Sequence, residues 1–205
     1  MSGDIFALTT IGAALLLGAM SPGASFLLVA RSAMSCSRRA ALFVSLGMGI
    51  GSLMFSIIAL AGLHTLLTLV PSLYTALKIA GACYLLWLAI KMFRQPAAGR
   101  MDFSSMGKMS GRKALMTGLI TQVSNPHTAL VFASIFTTAL TSEIKPYMYF
   151  ALPVMAFLID YLWYVVVACL LSTHKPRQAY VKYRKCIDRL SGGFMAWLGI
   201  HVLMK

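Results

Sequence analysis

The sequence predicts an all-α polytopic membrane protein: six transmembrane helices, built as a 3+3 inverted repeat, with helices one and four interrupted. Three observations carry this prediction. Apolar residues make up 59% of the chain and charged residues only 11%, the apolar residues form long runs, and two of those runs contain an internal proline. A run of ~20 apolar residues is long enough to cross the ~30 Å hydrocarbon core of a bilayer. This composition excludes an ordinary soluble domain.

The apolar runs and the basic clusters between them predict six spans. The spans cover about Ile5–Ala30, Ala40–Leu63, Ser72–Met92, Ala114–Leu140, Pro146–Ser172 and Ile187–Met204. Repeat one then occupies about residues 1–93, a flexible cytoplasmic loop about 94–113, and repeat two about 114–205. The first run is longer than the ~7–15-residue core of a signal peptide, so we expect it to be retained. The whole chain, 1–205, is therefore predicted to be one transmembrane domain.

The distribution of positive charge predicts the orientation of the spans. Of the 18 Lys and Arg residues, 15 lie at or between the ends of spans one and two, three and four, or five and six. Short loops rich in Lys and Arg stay in the cytoplasm, so both termini are predicted to lie outside it. The net charge of +13 is therefore a topology signal, and we expect the partner of this surface to be the lipid bilayer rather than nucleic acid.

The first interruption is formed by Ser21, Pro22, Gly23, Ala24 and Ser25. Proline ends a helix before it and is well tolerated as the first residue of the next one, so Ser21 is predicted to cap a new half-helix. The break lies about ten residues, or ~15 Å at helical rise, from the basic residues that follow it. Backbone N–H groups freed at that depth need protein or a water-filled cavity as partners. We therefore expect these five residues to meet a substrate.

A second interruption occurs in the fourth run, where Asn125 is placed to cap a half-helix that begins at Pro126. The two halves also share an aromatic motif, Tyr84–Ile90 and Phe194–Ile200, at an offset of 110 residues. Paired interruptions in matching spans of inverted halves indicate a transporter binding site at the repeat interface. Two proline kinks that bind no ligand are the alternative.

Two titratable residues are candidates for proton handling. Asp160 lies fifteen residues from both Lys145 and Lys175, near the midplane, where an ionisable side chain is costly and usually functional. His127 follows the second break and titrates near neutral pH. A hydrogen-bonded structural carboxyl and a neutral structural histidine are the alternatives. Trp163 or Tyr164, on the same helical face as Asp160, either lines a pocket or packs in the core.

Two glycines in span two, Gly47 and Gly51, form a GxxxG pair, which permits close approach of another helix. That contact lies either within the chain or between copies in a homodimer.

Sequence motifs for soluble chemistry are missing. The chain has no Walker-type GxxxxGK[ST], no HExxH and no nucleophile elbow, so we expect neither an enzyme nor direct use of ATP. The chain has no CxxC spacing, so neither a zinc site nor a disulfide framework is indicated. We expect no metal and no cofactor. The cysteines are instead expected to be small buried apolar residues: Cys36, Cys83, Cys169 and Cys186. A transport process would then be driven by a gradient.

Several motifs together resemble the LysE/RhtB family of amino-acid exporters, and in particular its threonine and homoserine efflux branch. They are Met20–Gly23, Lys78–Leu85, Gly118–Pro126, and Asp160 followed by Trp163. The resemblance covers almost the whole chain. It implies export of amino acids from the bacterial cytoplasm across the inner membrane, by antiport with protons. Members of the family commonly have a proline where this chain has Ala24 and often a lysine where it has His127, and these departures concern the substrate more than the fold.

The leading hypothesis is therefore a secondary exporter of a small zwitterion. The substrate carboxylate would lie at the two half-helix N-termini, where N–H groups and positive dipole ends converge, and Asp160 would hold the ammonium or a proton. The alternative is a membrane subunit or chaperone that does not transport and that binds a partner through the Gly47–Gly51 face.

Overall fold

A computed structural model describes residues 2–20, 23–69, 71–94, 109–139, 145–172 and 174–204. These residues form eight α-helices and no strand, which confirms the all-α prediction. The helices are α1 (Ser2–Met20), α2 (Ala24–Ser35), α3 (Arg38–Leu69), α4 (Pro71–Arg94), α5 (Gly111–Val123), α6 (Pro126–Ala139), α7 (Met148–Leu171) and α8 (His174–Leu203). Most of the predicted flexible loop, residues 95–108, lies outside the described residues.

Three stretches of helix are individually long and apolar enough to cross a membrane among the residues described. They are Arg38–Gly62 in α3, Thr75–Arg94 in α4 and Met148–Leu171, which is α7. The pair α1 and α2, bent by 55° at its break, is a fourth span if it is counted as one. The chain is thus a multi-pass helical membrane protein, and the count of six spans stays a prediction.

Both predicted interruptions fall where helices end. α1 ends at Met20 and α2 begins at Ala24, with Ser21 and Pro22, including the predicted cap, outside the described residues. α5 ends at Val123 and α6 begins at Pro126. Each break therefore leaves a helix N-terminus inside an otherwise apolar segment.

One boundary prediction was wrong. The sixth span was predicted to begin at Ile187, but α8 begins at His174, so the basic stretch expected as a loop is helical. Its Lys, Arg, Gln and Ala residues are good helix formers, and Pro176 lies in the first turn, where a missing N–H costs no hydrogen bond. Hydropathy marks where a helix becomes apolar, which here is more than three turns after the helix starts.

Helix α3 lies at the centre of the bundle and packs against both α5 and α7. Its contact with α5 is made by backbone, because a Cβ atom at Gly47 would overlap the carbonyl oxygen of Leu115. One at Gly118 would overlap the carbonyl oxygen of Val44, and one at Gly51 would lie 2.7 Å from the Gln122 side chain. The GxxxG pair is thus buried within the chain, and this face is not available to a second copy.

Two apolar clusters lie on either side of the breaks. One joins α1, α4, α6 and α8 with the second half of α3 and the first half of α7, and contains Ile11, Leu85 and Phe136. The other joins α2, the first half of α3 and the second half of α7, and contains Phe26 and Val44. The breaks and the residues around them are therefore the polar layer between two packed apolar layers.

The cysteines depart from the prediction that all four are buried. Cys83 and Cys186 are exposed, and Cys36 and Cys169 are partly exposed. Cys83, Cys169 and Cys186 lie on helical faces that neighbouring helices only partly cover, and Cys36 lies in the turn that follows α2. At the α2–α3 connection, partial burial raises the pKa of the Cys36 thiol. All four are free thiols.

The backbone contact between α3 and α5 makes a testable prediction. Gly47→Ala is expected to lower the free energy of unfolding by about 3 kcal/mol, because a single methyl group forces two tightly packed helices apart. Gly62→Ala is the matched control in the same helix, since nothing lies within 4 Å of a Cβ built there. That variant is expected to keep or slightly raise stability, because alanine favours helix over glycine.

Thermal unfolding in detergent, followed by circular dichroism, checks both variants. Equal melting temperatures for Gly47→Ala and the wild-type protein would contradict the backbone contact.

Candidate functional site

Gln122, near the C-terminus of α5, is the centre of a buried hydrogen-bond network. Its Oε1 accepts a hydrogen bond from Ser25 Oγ of α2 at 2.6 Å. Its Nε2 donates to Ser52 Oγ of α3 at 2.8 Å and to Asp160 Oδ2 of α7 at 2.9 Å. The Ser52 hydroxyl also donates to Asp160 Oδ2. These four side chains are at most 5% exposed, so one amide ties together four helices away from solvent.

The second break joins the same network through Asn125. Asn125 Oδ1 accepts the backbone N–H of His127 at 3.1 Å, which is the capping interaction expected of asparagine before a helix. Asn125 Nδ2 donates to Ser25 Oγ at 3.3 Å. The cap of α6 therefore contacts the first turn of α2 directly, and the two interruptions meet at one point.

The hydrogen bonds of this network all run in one direction. Because the His127 N–H fixes the Asn125 oxygen, Asn125 presents its NH₂ group to Ser25, whose hydroxyl hydrogen then points to Gln122. Gln122 in turn presents its NH₂ group to Asp160. Successive donors polarise one another and favour negative charge at the end of the chain. The network thus suits a carboxylate at residue 160.

A cavity of about 40 Å³ adjoins the network. A water molecule needs ~10–15 Å³ of such space, so this cavity holds about three. It is lined by Leu15, Gly18, Ala19, Gly23, Ser25, Phe26, Gln122, Asn125, His127, Thr128, Val131, Phe132, Asp160 and Tyr164. None of these residues is Lys or Arg, so the one basic side chain that shares the cavity lining with Asp160 among the described residues is the His127 imidazole.

Five of the residues predicted from the sequence to form the site line this cavity: Gly23, Ser25, Asn125, His127 and Asp160. Ala24 and Pro126 are exposed and lie outside the lining. Ser21 and Pro22 lie outside the described residues. Gly47 and Gly51 belong to the α3–α5 contact described above.

The two aromatic candidates after Asp160, Trp163 and Tyr164, lie in different surroundings. Tyr164 is buried and lines the cavity. Trp163 packs against the apolar cluster around Phe26, and its buried indole Nε1 has no hydrogen-bond partner. Of the pair, Tyr164 is the one positioned to contact a ligand.

Gln122 and Ser52 were not identified from the sequence as site residues, although Gln122 lies within a motif used for the family resemblance. A weak signal exists for each. Gln122 lies three residues before Asn125, in a short polar stretch that also contains Thr121 and Ser124. Ser52 lies seven residues after Ser45 and four before Ser56, so three buried serines share one face of α3. Neither pattern shows that an amide from α5 bridges to a carboxylate of α7.

The described residues contain no cluster of three His, Cys, Asp or Glu side chains that could hold a metal ion. The polar groups of the cavity are amides, hydroxyls, one imidazole and one carboxylate. This set suits recognition of a small zwitterion, because the helix end supplies N–H donors for an anion and Asp160 supplies an acceptor for a cation.

Comparison with known proteins gives a consistent result. The family of LysE type translocators matches residues 16–205. The threonine efflux protein of Salmonella typhi is 31% identical over 191 residues, covering 91% of this chain and 92% of its own length. The corresponding protein of Escherichia coli K12 is 27% identical over 194 residues, with the same coverage. A leucine efflux protein of Klebsiella pneumoniae is 24% identical over 175 residues, covering 85% of this chain and 82% of its own. No solved structure matches.

The central position of Gln122 makes a second testable prediction. Gln122→Leu is expected to lower the free energy of unfolding by about 2 kcal/mol, because three interhelical hydrogen bonds worth ~0.6 kcal/mol each in a membrane protein are lost. Ile120→Leu, an exposed position of the same helix, is the control and is expected to have no effect.

Chemical denaturation in mixed micelles measures both changes. If Gln122→Leu is as stable as Ile120→Leu, the bridging role of the amide is refuted.

Proposed function

Since this chain belongs to the family of LysE type translocators, which are transporters and not enzymes, we propose that it exports amino acids from the cytoplasm. The substrates we propose are threonine, homoserine or similar small zwitterions, exchanged for protons. The names of the relatives, threonine and leucine efflux proteins, support the choice of amino acids.

One observation of the structure supports this proposal above the others. The two interrupted segments meet beside a buried carboxylate, through the hydrogen bonds that link Asn125, Ser25, Gln122 and Asp160. An interrupted helix inside a membrane is stable only where other protein groups or water satisfy its free ends. Two such ends and a carboxylate at one cavity are what a binding site for a zwitterion requires.

In the proposed complex, the substrate carboxylate lies at the N-termini of α2 and α6. Gly23 and Thr128 line the cavity at those ends, where the positive dipole ends of the two helices favour an anion. The ammonium group faces the Asp160 carboxylate, which is also the proposed proton carrier. His127 lines the same cavity and is the second candidate for proton transfer.

The proposed architecture is six spans in two inverted halves, with α1–α2 and α5–α6 each forming one broken span. The offset between matching residues supports it. Pro22 and Pro126 are 104 residues apart, and Trp87 and Trp197 are 110 apart. Ser52 and Asp160 are 108 residues apart, which lies between these two offsets, and they contact each other. Matching residues of two repeats are expected to be in contact when they lie close to the two-fold axis that relates the repeats.

The contact between α4 and α8 also supports an inverted repeat. A Cβ at Gly192 would meet the Ala89 carbonyl, and one at Gly199 would meet the Ala82 carbonyl. The two pairs are equivalent at an offset of 110 residues, because Gly192 then corresponds to Ala82 and Ala89 corresponds to Gly199. Likewise the Tyr84–Trp87 ring contact at 5.6 Å has its counterpart, at the same offset, in Phe194–Trp197 at 5.5 Å.

We propose that the chain lies in the bacterial inner membrane with both termini outside the cytoplasm, because of the charge asymmetry between its loops. In that orientation the cavity lies on the outer side of the breaks, where Leu15 and Gly18 of α1 and Val131 of α6 line it. The cytoplasmic side is closed by the glycine contact of α3 with α5. Export then requires this contact to loosen so that the cavity opens inward.

The rival function, a membrane subunit or chaperone that does not transport, was based on the Gly47–Gly51 face. Both glycines are buried against α5 of the same chain, so that face cannot recruit a partner. Transport is the stronger proposal for this reason.

Replacement of the buried carboxyl tests the proposed coupling. Asp160→Asn is expected to abolish uphill efflux driven by a pH gradient, because asparagine keeps the shape and accepts hydrogen bonds but cannot release a proton. Threonine exchange at equal pH is expected to survive if Asp160 carries only the proton, and to be lost as well if it also binds the ammonium. Proteoliposomes loaded with labelled threonine measure both processes.

Asp188→Asn is the matched control, since Asp188 of α8 is 4% exposed and Asp160 5% exposed. Uphill efflux by Asp188→Asn is expected to match the wild-type rate when the amounts of protein are equal. Wild-type uphill efflux by Asp160→Asn would rule out this carboxyl as the proton carrier.

A further inference from the structure

The cavity has a polar wall and an apolar wall. Ser25, Gln122, Asn125 and Asp160 form the polar wall, where the network holds their side chains. An apolar wall belongs to α1 and the second turn of α6, and includes Leu15, Gly18, Ala19, Val131 and Phe132. If the charged groups of an amino acid occupy the polar wall, we expect its side chain to lie against the apolar wall.

The apolar wall contains no charged side chain and no Asn or Gln amide. A basic or acidic substrate side chain placed there would lose its hydration without gaining a partner, at a large cost in free energy. The site therefore suits neutral amino acids, and the length of side chain that it accepts depends on how far this wall stands from the network.

Gly18 is the residue of this wall whose presence packing does not explain. Most glycines within the described helices are needed for close contact: a Cβ would come to 3.0 Å or less of a neighbouring atom at Gly47, Gly51, Gly81, Gly111, Gly118, Gly199 and Gly49. A Cβ at Gly18 would instead lie 3.6 Å from Val131 Cγ1 and Met195 Cε, an ordinary van der Waals distance. Alanine would fit there, and it favours helix by ~1 kcal/mol.

A side chain at position 18 would nevertheless take space from the cavity, because Gly18 lines it and so does Val131, one of the two residues that a Cβ there would contact. The other large residues of the wall are fixed. Leu15, Val131 and Phe132 belong to the apolar cluster around Ile11, and the Phe132 ring packs against Phe55 at 6.0 Å. Gly18 is outside that cluster, and a Cβ added there would make only ordinary contacts with it, so this position can change in size with little disturbance of the core.

We propose that Gly18 sets the size of the substrate side chain, and that the missing Cβ provides the room for it. This inference rests on the proposed function, since it assumes that an amino acid occupies the cavity. It deepens that function by naming the substrate class, neutral amino acids of limited side-chain length, and the residue that limits the length.

Counterflow in proteoliposomes tests the proposal. Vesicles carrying wild-type protein, Gly18→Ala or Gly18→Val take up labelled alanine in the presence of competing glycine, alanine, threonine or leucine. The ratio of apparent affinities for threonine and glycine is expected to fall about tenfold in Gly18→Ala and further in Gly18→Val, because one methylene in a pocket changes discrimination by ~10–200-fold. Gly193→Ala, an exposed glycine of α8 with nothing within 4 Å, is expected to leave the ratio unchanged.

If the bulkier Gly18→Val variant does not fold, Gly18→Ala still tests the proposal. The alanine Cβ makes only ordinary van der Waals contacts, so this variant is expected to fold. A threonine-to-glycine ratio within twofold of wild type in folded Gly18→Ala would overturn the role of Gly18 while the proposed function stands. Absence of counterflow with every amino acid in the wild-type protein would overturn the proposed function, and this inference with it.

Discussion

The structure depends on one requirement, which is that polar groups released at breaks in apolar helical segments must find partners inside the protein. Two interrupted segments and one carboxyl group create this requirement, and a single amide satisfies most of it. Gln122 accepts from Ser25 and donates to Ser52 and Asp160, while Asn125 closes the chain at the α6 cap. Without these bonds each group would be left unsatisfied in a medium that offers no water.

Packing of the apolar layers positions this network. Backbone contact between α3 and α5 at Gly47 and Gly118 brings Gln122 within reach of Ser52. On the other side of the breaks α1 meets α7 through a side chain, since a Cβ at Gly12 would lie 3.3 Å from Met155 Sδ. A contact of backbone with backbone resists movement, whereas a methionine adapts its shape. This difference between the two sides agrees with the cavity lying beside α1.

Much of the fold was predictable from the sequence because hydropathy, charge and proline act locally. The two breaks and the cap at Asn125 follow from spacing along single helices. Gln122 and Ser52 escaped prediction as site residues because their role depends on which helices become neighbours, which spacing does not reveal. The early start of α8 at His174 escaped because hydropathy does not distinguish a polar helical turn from a loop. The role proposed for Gly18 could be inferred only from the cavity lining, since glycine in a membrane helix usually indicates close packing.

Access to the cavity from the two faces of the membrane tests the central claim most directly. Thr128 lines the cavity, so Thr128→Cys in a chain whose four native cysteines are replaced by serine reports on it. The measurement is the rate of modification by a membrane-impermeant thiol reagent in right-side-out and inside-out vesicles, with and without threonine. We expect modification from both faces, slowed by threonine. Modification from one face only, or at a rate that no amino acid changes, would contradict a transport site at the two breaks.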